Sequence, residues 1–300
     1  VRFEQLQPQT QELELAFDYP YLLNLPFGLG LEGDLYRRDT QFINLRYRAA
    51  ASYLWRGNNK LEVFIDRRQT NLIGFNEALV LASGRLPDTL DVGRSFFGLS
   101  LLRQTVDQDF NPSSGYTLEV SAAAGTRRIR RNGKLLDLGF EELYDSLQER
   151  SGQYNISTRI ATYWPVFAGT VLYLGADAAT FFGSEKLLAN EQYRLGGARL
   201  LRGFNEQQIF ASSYALMTAE FRLLLGRQAY LYAFGDFAYV DGRNQAAPDL
   251  AADFPLGFGA GVNFSTRAGV FGLSLAVGKR SNEVLDFGAP KVHFGYLSVF

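Results

Sequence analysis

The sequence of 300 residues lacks several features that common function classes need. It has no cysteine, which excludes disulfides, thiolate metal ligands and cysteine nucleophiles. Its one histidine, His293, leaves no imidazole pair for a histidine-rich metal site, and we predict neither a metal nor a cofactor. No apolar run approaches the roughly 20 residues of a membrane-spanning helix. A net charge of −1 provides no basic field for nucleic acid, so no nucleic-acid partner is expected.

What the sequence does contain is an alternation of apolar and polar side chains with a period of two. In GVFGLSLAVG (269–278) the large apolar side chains share one face, and glycine, serine and alanine take the other. This pattern is typical of half-buried strands and not of helices. It predicts about thirteen antiparallel strands, near residues 11–20, 27–38, 42–55, 60–69, 96–106, 115–126, 153–165, 169–182, 214–225, 228–241, 254–266, 269–279 and 291–300.

The lengths of the strands and connections indicate that these strands cross a membrane. Soluble strands commonly have five or six residues, whereas the predicted strands have roughly 9–14 and cover the tilted span of a bilayer. Short connections alternate with long ones, as in outer-membrane barrels. A soluble β-sandwich would also alternate, but glycines and charges of both signs on the polar face favour a wet lumen over a dry core. We therefore predict one all-β domain, an antiparallel transmembrane β-barrel over residues 1–300, with a short loop helix within 127–146.

Three segments that resemble catalytic or binding motifs fail on their context. FGLGLEG (27–33) has the spacing G-x-G-x-x-G but lies inside an alternating strand, so we expect Gly28, Gly30 and Gly33 to face the lumen. DQDFN (107–111) has the spacing of a calcium loop, but a proline replaces the required glycine and a leucine the chelating glutamate. Ser274 lies mid-strand and lacks the glycine of a nucleophile elbow. We therefore predict no catalytic residues.

One long connection carries an unusual core, RLGGARLLRGFNEQQ (194–208). Its glycines permit tight reversals, so the segment could fold back into the lumen. Arg202 offers a planar fork of donors that suits a carboxylate. The candidate partners are Asp236 and Glu220, each on the polar face of a strand that follows the loop.

Several motifs occur in a characteristic order along nearly the whole chain. They are a Pro-Tyr turn within 18–40, an N-P-x-x-G turn with Asn111, Pro112 and Gly115, the loop Leu201-Arg202-Gly203-Phe204, a strand with Glu220, an F-x-D strand with Phe234 and Asp236, and a terminal strand with Gly295, Tyr296 and Phe300. Together they resemble the C-terminal barrel of the BamA and TamA outer-membrane assembly (bacterial surface antigen) family.

The resemblance implies a fold and a function. The family barrel has sixteen strands, so the predicted thirteen would be its fourth to sixteenth, and three strands and any POTRA domains would lie outside this chain. The family works without a chemical reaction, by inserting or translocating client outer-membrane proteins in the bacterial outer membrane. Its seam between first and last strands and its lumenal Arg-Gly-Phe loop are the expected working parts. Expected partners are client proteins, outer-membrane lipid and lipopolysaccharide, and periplasmic or lipoprotein accessory subunits.

Three alternatives remain open at the level of sequence. A passive porin-like channel needs only the barrel. The barrel could also anchor a protein whose N-terminal domain carries another function. A hydrolase built on His293 would need a nearby serine with an orienting partner.

Overall fold

A computed structural model of the chain describes residues 2–7, 10–38, 40–145, 147–226, 229–266 and 269–297. One antiparallel sheet of fourteen strands makes up most of the described part. Its strands are β1 (Arg2–Gln7), β2 (Thr10–Tyr19), β3 (Phe27–Arg38), β4 (Phe42–Trp55), β5 (Asn59–Leu72), β6 (Asp91–Gln104), β7 (Gly115–Arg130), β8 (Arg150–Pro165), β9 (Thr170–Gly183), β12 (Ser213–Leu224), β13 (Ala229–Asp241), β14 (Leu256–Thr266), β15 (Gly269–Lys279) and β16 (Lys291–Leu297). Between β9 and β12, the short strands β10 (Tyr193–Leu195) and β11 (Ile209–Ala211) pair with each other.

The predicted all-β antiparallel fold is confirmed, and each of the thirteen predicted strands is present. The sheet has one strand more than expected, β1, which is too short and too polar to show the alternation. Some boundaries also differ at one end of the sheet: β6 begins at Asp91 and β7 continues to Arg130. These extensions carry charged residues, so the apolar period that marks the rest of each strand is absent from them.

Burial is inverted relative to a water-soluble sheet. On β12, Met217 is 64% exposed, whereas Glu220 and Arg222 are buried. On β15, Leu273 and Leu275 are exposed while Ser274 between them is buried. We call the face with the buried polar residues the inner face. Apolar side chains that point outward and charges that point inward are the arrangement of a transmembrane barrel.

The pleat of β3 corrects one expectation from the sequence. Gly28 lies against Ser52 and shares the inner face with Gly30. Gly33 follows Gly30 by an odd number of residues and therefore lies on the outer face, because successive side chains point to opposite sides of a strand. The expectation that all three glycines face the lumen is wrong for Gly33.

Short and long connections lie at opposite ends of the sheet. The short-turn end includes 56–58 and 166–169, and the long-loop end includes 73–90, 131–149 and 184–212. The long loops hold α1 (Glu77–Ser83), α2 (Gly133–Asp137) and α3 (Glu141–Asp145), so the expected single helix within 127–146 is a pair of short ones. No helix in the described ranges is long and apolar enough to cross a membrane.

A hydrophobic cluster, which we call the loop cap, covers part of the long-loop end. Its buried members are Leu72, Val80, Leu90, Val92, Ile129, Leu135, Phe140, Tyr144 and Leu188. Asn76 and Asn132 cap α1 and α2 by accepting hydrogen bonds from the backbone N–H groups of Leu79 and Lys134, both at 3.1 Å. The cap therefore joins three connections into one packed unit.

We expect Leu135→Ala to loosen the loop cap, because Leu135 is 0% exposed. Truncating a fully buried leucine costs about 2–5 kcal/mol of packing free energy. The measurement is the rate at which a protease cuts the 131–149 connection in the folded barrel. Leu79→Ala, at an exposed position of α1, is the control. Equal cleavage rates for the two variants would contradict a packed cap.

Candidate functional site

The connection 184–212 folds against the inner face of the sheet. Arg199 forms an ion pair with Glu14 of β2, and Gly203 contacts His293 of β16. Glu191 of the same segment contacts Arg127 of β7, which lies between β2 and β16 in the strand order. A single segment that touches strands near both ends of the sheet requires the sheet to curve around it. We call residues 184–212 the lumenal loop.

Local sequence explains how the lumenal loop makes its turn. Strands β10 and β11 form its stem, and Gly196 and Gly197 adopt positive φ angles of 107° and 110°, which favour glycine. At the tip, Leu201 and Phe204 are buried in a cluster with Tyr214 and Val240. Leu201 itself has a φ of 62°, a conformation that a branched side chain keeps only when its surroundings impose it.

Arg202 lies between two carboxylates. Its Nε and Nη2 donate to Oδ2 and Oδ1 of Asp236 at 2.8 and 2.7 Å, and its backbone N–H donates to Oδ2 at 2.9 Å. Its Nη1 donates to Oε1 of Glu220 at 2.6 Å. The guanidinium also lies 3.5 Å above the centre of the Phe234 ring. The structure thus brings Arg202 together with both of its candidate partners and with the aromatic residue of the F-x-D strand.

The charges of this cluster balance. Glu220 uses its second oxygen, Oε2, to accept from Nε and Nη2 of Arg222 at 2.8 and 2.7 Å. Asp236 accepts a further hydrogen bond from the Thr218 hydroxyl at 2.9 Å. Two guanidinium groups therefore face two carboxylates, and all four side chains are nearly inaccessible to solvent. Bidentate, charge-assisted hydrogen bonds of this kind are among the strongest in proteins.

Glycines let the backbone of the loop approach the wall. A Cβ on Gly257 of β14 would lie 1.9 Å from the Arg202 carbonyl oxygen, and one on Gly278 of β15 would lie 2.8 Å from that of Gly203. Gly203 has a φ of 93° and lies against the Val277 backbone. The inner-face glycines of these strands thus form a seat for the Arg-Gly-Phe tip.

His293 ties the tip to the terminal strand. Its Nε2 accepts a hydrogen bond of 3.0 Å from the Gly203 N–H, and its Nδ1 lies 3.9 Å from Oε1 of Glu206. Ser274 lies opposite His293 in the register of β15 and β16. Since Nε2 already accepts from the loop backbone, it is not free to take a proton from a serine. The geometry gives His293 a structural contact.

The N-P-x-x-G segment forms a tight turn at the short-turn end. Asn111 and Gly115 have φ angles of 54° and 98°, and a Cβ on Gly115 would lie 2.4 Å from the Thr105 carbonyl oxygen. Asp107 accepts from the backbone N–H groups of Ser113 and Ser114. Desolvation raises the pKa of the Asp107 carboxyl, but hydrogen bonds from the Ser113 hydroxyl and from these two backbone groups lower it below its usual value. The aspartate thus stabilises the turn.

The predicted residues of the terminal strand lie outside this cluster. Gly295 and Tyr296 lie on β16, with Tyr296 exposed on the outer face, while Phe300 lies outside the described residues. Within the described ranges no group of three or more His, Asp or Glu side chains is arranged to hold a metal. Sequence reasoning missed Glu191 and the contact of His293 with the loop, because no local spacing relates residues so far apart in the chain.

Comparisons with known proteins agree with this architecture. The described fold is similar to BamA from Haemophilus ducreyi lacking POTRA domains 1–3, at 12% identity with a TM-score of 0.63, over 96% of this chain and 61% of that one. It is also similar to CdiB from Escherichia coli (12%, 0.56, 95% and 58%) and to CdiB from Acinetobacter baumannii (14%, 0.51, 95% and 56%). This chain spans about three-fifths of the length of those structures.

The search of curated proteins found no match to this chain. A family profile, in contrast, covers almost the whole chain. The profile of the Omp85 superfamily domain matches residues 7–295. The chain belongs to the Omp85 superfamily.

Proposed function

We propose that this chain is the membrane barrel of a non-enzymatic factor that inserts or translocates client proteins in the bacterial outer membrane. The observation that carries the proposal is the Arg202 tip, held inside the barrel by Asp236 and Glu220 and hydrogen-bonded to the terminal strand through His293. Membership of the Omp85 superfamily and the likeness to BamA and CdiB barrels support it. Its partners would be client proteins, outer-membrane lipid and lipopolysaccharide, and accessory subunits.

The terminal strand is the proposed point of contact with a client. Strand β16 pairs with β15, and in the family that the motifs resemble the last strand borders the seam with the first, so we propose its other edge as the site that a client strand meets. An exposed edge is a template for a further strand, and inside a bilayer this pairing is strongly favoured because no water satisfies those groups. A client strand would add to this edge. The lumenal loop would hold β12 to β15 in place while it does so.

A direct experiment tests this function. The full-length protein is reconstituted in liposomes, an unfolded outer-membrane β-barrel is added as client, and its membrane-protected, folded fraction is measured. Catalysed folding of the client supports the proposal. Ion conductance without client folding would favour the porin-like reading, and neither activity would favour a membrane anchor.

Arg202→Ala should abolish most of the client folding. Removing one partner of a desolvated ion pair costs about 3–5 kcal/mol, because the other charges stay buried without compensation. Arg202→Lys should recover part of the activity, since it keeps the charge but not the planar fork. Arg243→Ala is the control, because Arg243 pairs with Asp241 at the exposed end of β13. Full activity in Arg202→Ala would contradict a role for the loop.

Gly257→Ala should impair client folding with every charge retained. The added methyl group would lie 1.9 Å from the Arg202 carbonyl oxygen, so the tip must move. Gly272→Ala is the matched control on the inner face of β15, where the nearest atom lies 4.0 Å away. The same folding assay measures both variants. Equal activities would show that the seat of the tip does not matter.

His293 should give one imidazole signal that reports the position of the loop. Since Nε2 accepts from the Gly203 N–H, the ring should be neutral with its proton on Nδ1. Nitrogen NMR of the histidine-labelled protein in lipid distinguishes this tautomer, and the single histidine removes any overlap. In Gly257→Ala the signal should shift. An Nε2-protonated ring in the unmodified protein would contradict the contact.

A further inference from the structure

We propose that Glu191 is a second anchor of the lumenal loop, held in a carboxylate-binding site formed by Arg94 and Arg127. The site lies on β6 and β7, whereas Arg202 binds β12 and β13, and strands β8 and β9 separate the two. The loop is then fixed to the wall at two distant points. This inference concerns how the loop is attached and goes beyond the proposed function.

The contacts of Glu191 are those of a built site. Arg127 Nε lies 2.9 Å from both carboxylate oxygens, and its Nη2 donates to Oε2 at 2.7 Å. Arg94 Nε lies 3.9 Å from Oε1. The Leu188 N–H donates to Oε2 at 2.9 Å. The Glu191 side chain is 0% exposed and that of Arg127 is 2% exposed, so the pair is fully desolvated.

The wall needs this carboxylate. Arg46, Arg68, Arg94 and Arg127 are direct cross-strand neighbours on β4 to β7, and like charges opposite each other destabilise a sheet. Asp66, from the wall itself, bonds both Arg46 and Arg68. The pair Arg94 and Arg127 receives its bound carboxylate from the loop. Arg94 and Arg127 therefore have this carboxylate beside them only when the loop is docked.

The two anchors have opposite polarity. At the first, the loop supplies a guanidinium and the wall supplies carboxylates; at the second, the loop supplies the carboxylate and the wall supplies guanidinium groups. Neither Glu191 nor Arg202 can bind at the other's site, because like charges would meet. Neighbouring contacts reinforce the second anchor: the Ala189 N–H donates to the Asp88 carbonyl at 3.1 Å, and Asn190 Nδ2 donates to that of Leu90 at 2.8 Å.

Distance measurements between spin labels test the second anchor. The chain has no cysteine, so labels attach only at introduced ones. One label is placed at the lipid-facing Leu99 of β6, and the other either at Lys186, on the first arm of the loop, or at Asn205, at its tip; all three are exposed. The full-length protein is measured in lipid bilayers by pulsed electron resonance.

Glu191→Gln should displace and broaden the Leu99–Lys186 distance and leave the main Leu99–Asn205 distance in place. Arg202→Ala should do the reverse. Glu149→Gln is the control, because Glu149 forms an exposed pair with Arg128, the neighbour of Arg127, and should change neither distance. An unchanged Leu99–Lys186 distance in Glu191→Gln overturns the proposal.

Arg127→Lys provides a second route if Glu191→Gln lowers the yield of folded protein. Lysine keeps the charge but loses the fork, so the first arm should shift by less than in Glu191→Gln, and an unchanged arm again overturns the proposal. None of these measurements needs a client. Failure of client folding with the expected distances would refute the proposed function and leave the second anchor standing.

Discussion

A guanidinium enclosed away from water, with two carboxylates to neutralise it, is the interaction on which the rest of the structure depends. Arg202 reaches Asp236 and Glu220 only because the loop folds inward, and the loop folds inward only because the sheet curves around it. Burying so many charges would be prohibitive without compensation. Each buried carboxylate of the cluster instead faces an arginine. The cluster therefore favours one position of the tip, because a displaced tip would leave buried charges unpaired.

The apolar side chains of the outer face also require a particular environment, which is lipid. Residues such as Met217 and Leu275 are exposed along strands whose inner neighbours are charged or polar. In water this arrangement would expose a large apolar surface and favour aggregation. In a bilayer it is the stable one, because lipid covers the apolar band and the lumen solvates the polar face. Because lipid covers the apolar face, the polar face and the charged loop that binds it lie together inside the barrel.

Much of this could be predicted from sequence because the determinants are local. A period of two identifies each strand and its polar face, so Asp236 and Glu220 could be selected as partners of Arg202 before any coordinates. Contacts that depend on curvature could not. Glu191 meets Arg127 across 64 positions, and His293 meets Gly203 across 90. No spacing encodes either pair, and the polar β1 and the short stem of β10 and β11 carry too little alternation to be recognised.

The distribution of attachments indicates which strands hold the loop most firmly. The loop is tied by buried ion pairs to β7 and to β12 and β13, each of which pairs with a strand on both sides. Strand β16 meets the loop at His293, which accepts a hydrogen bond from the Gly203 N–H and lies 3.9 Å from Glu206. Breaking a neutral hydrogen bond costs less than leaving one charge of a desolvated ion pair without its partner. The loop is therefore held more firmly by β7, β12 and β13 than by β16, and it braces those three strands.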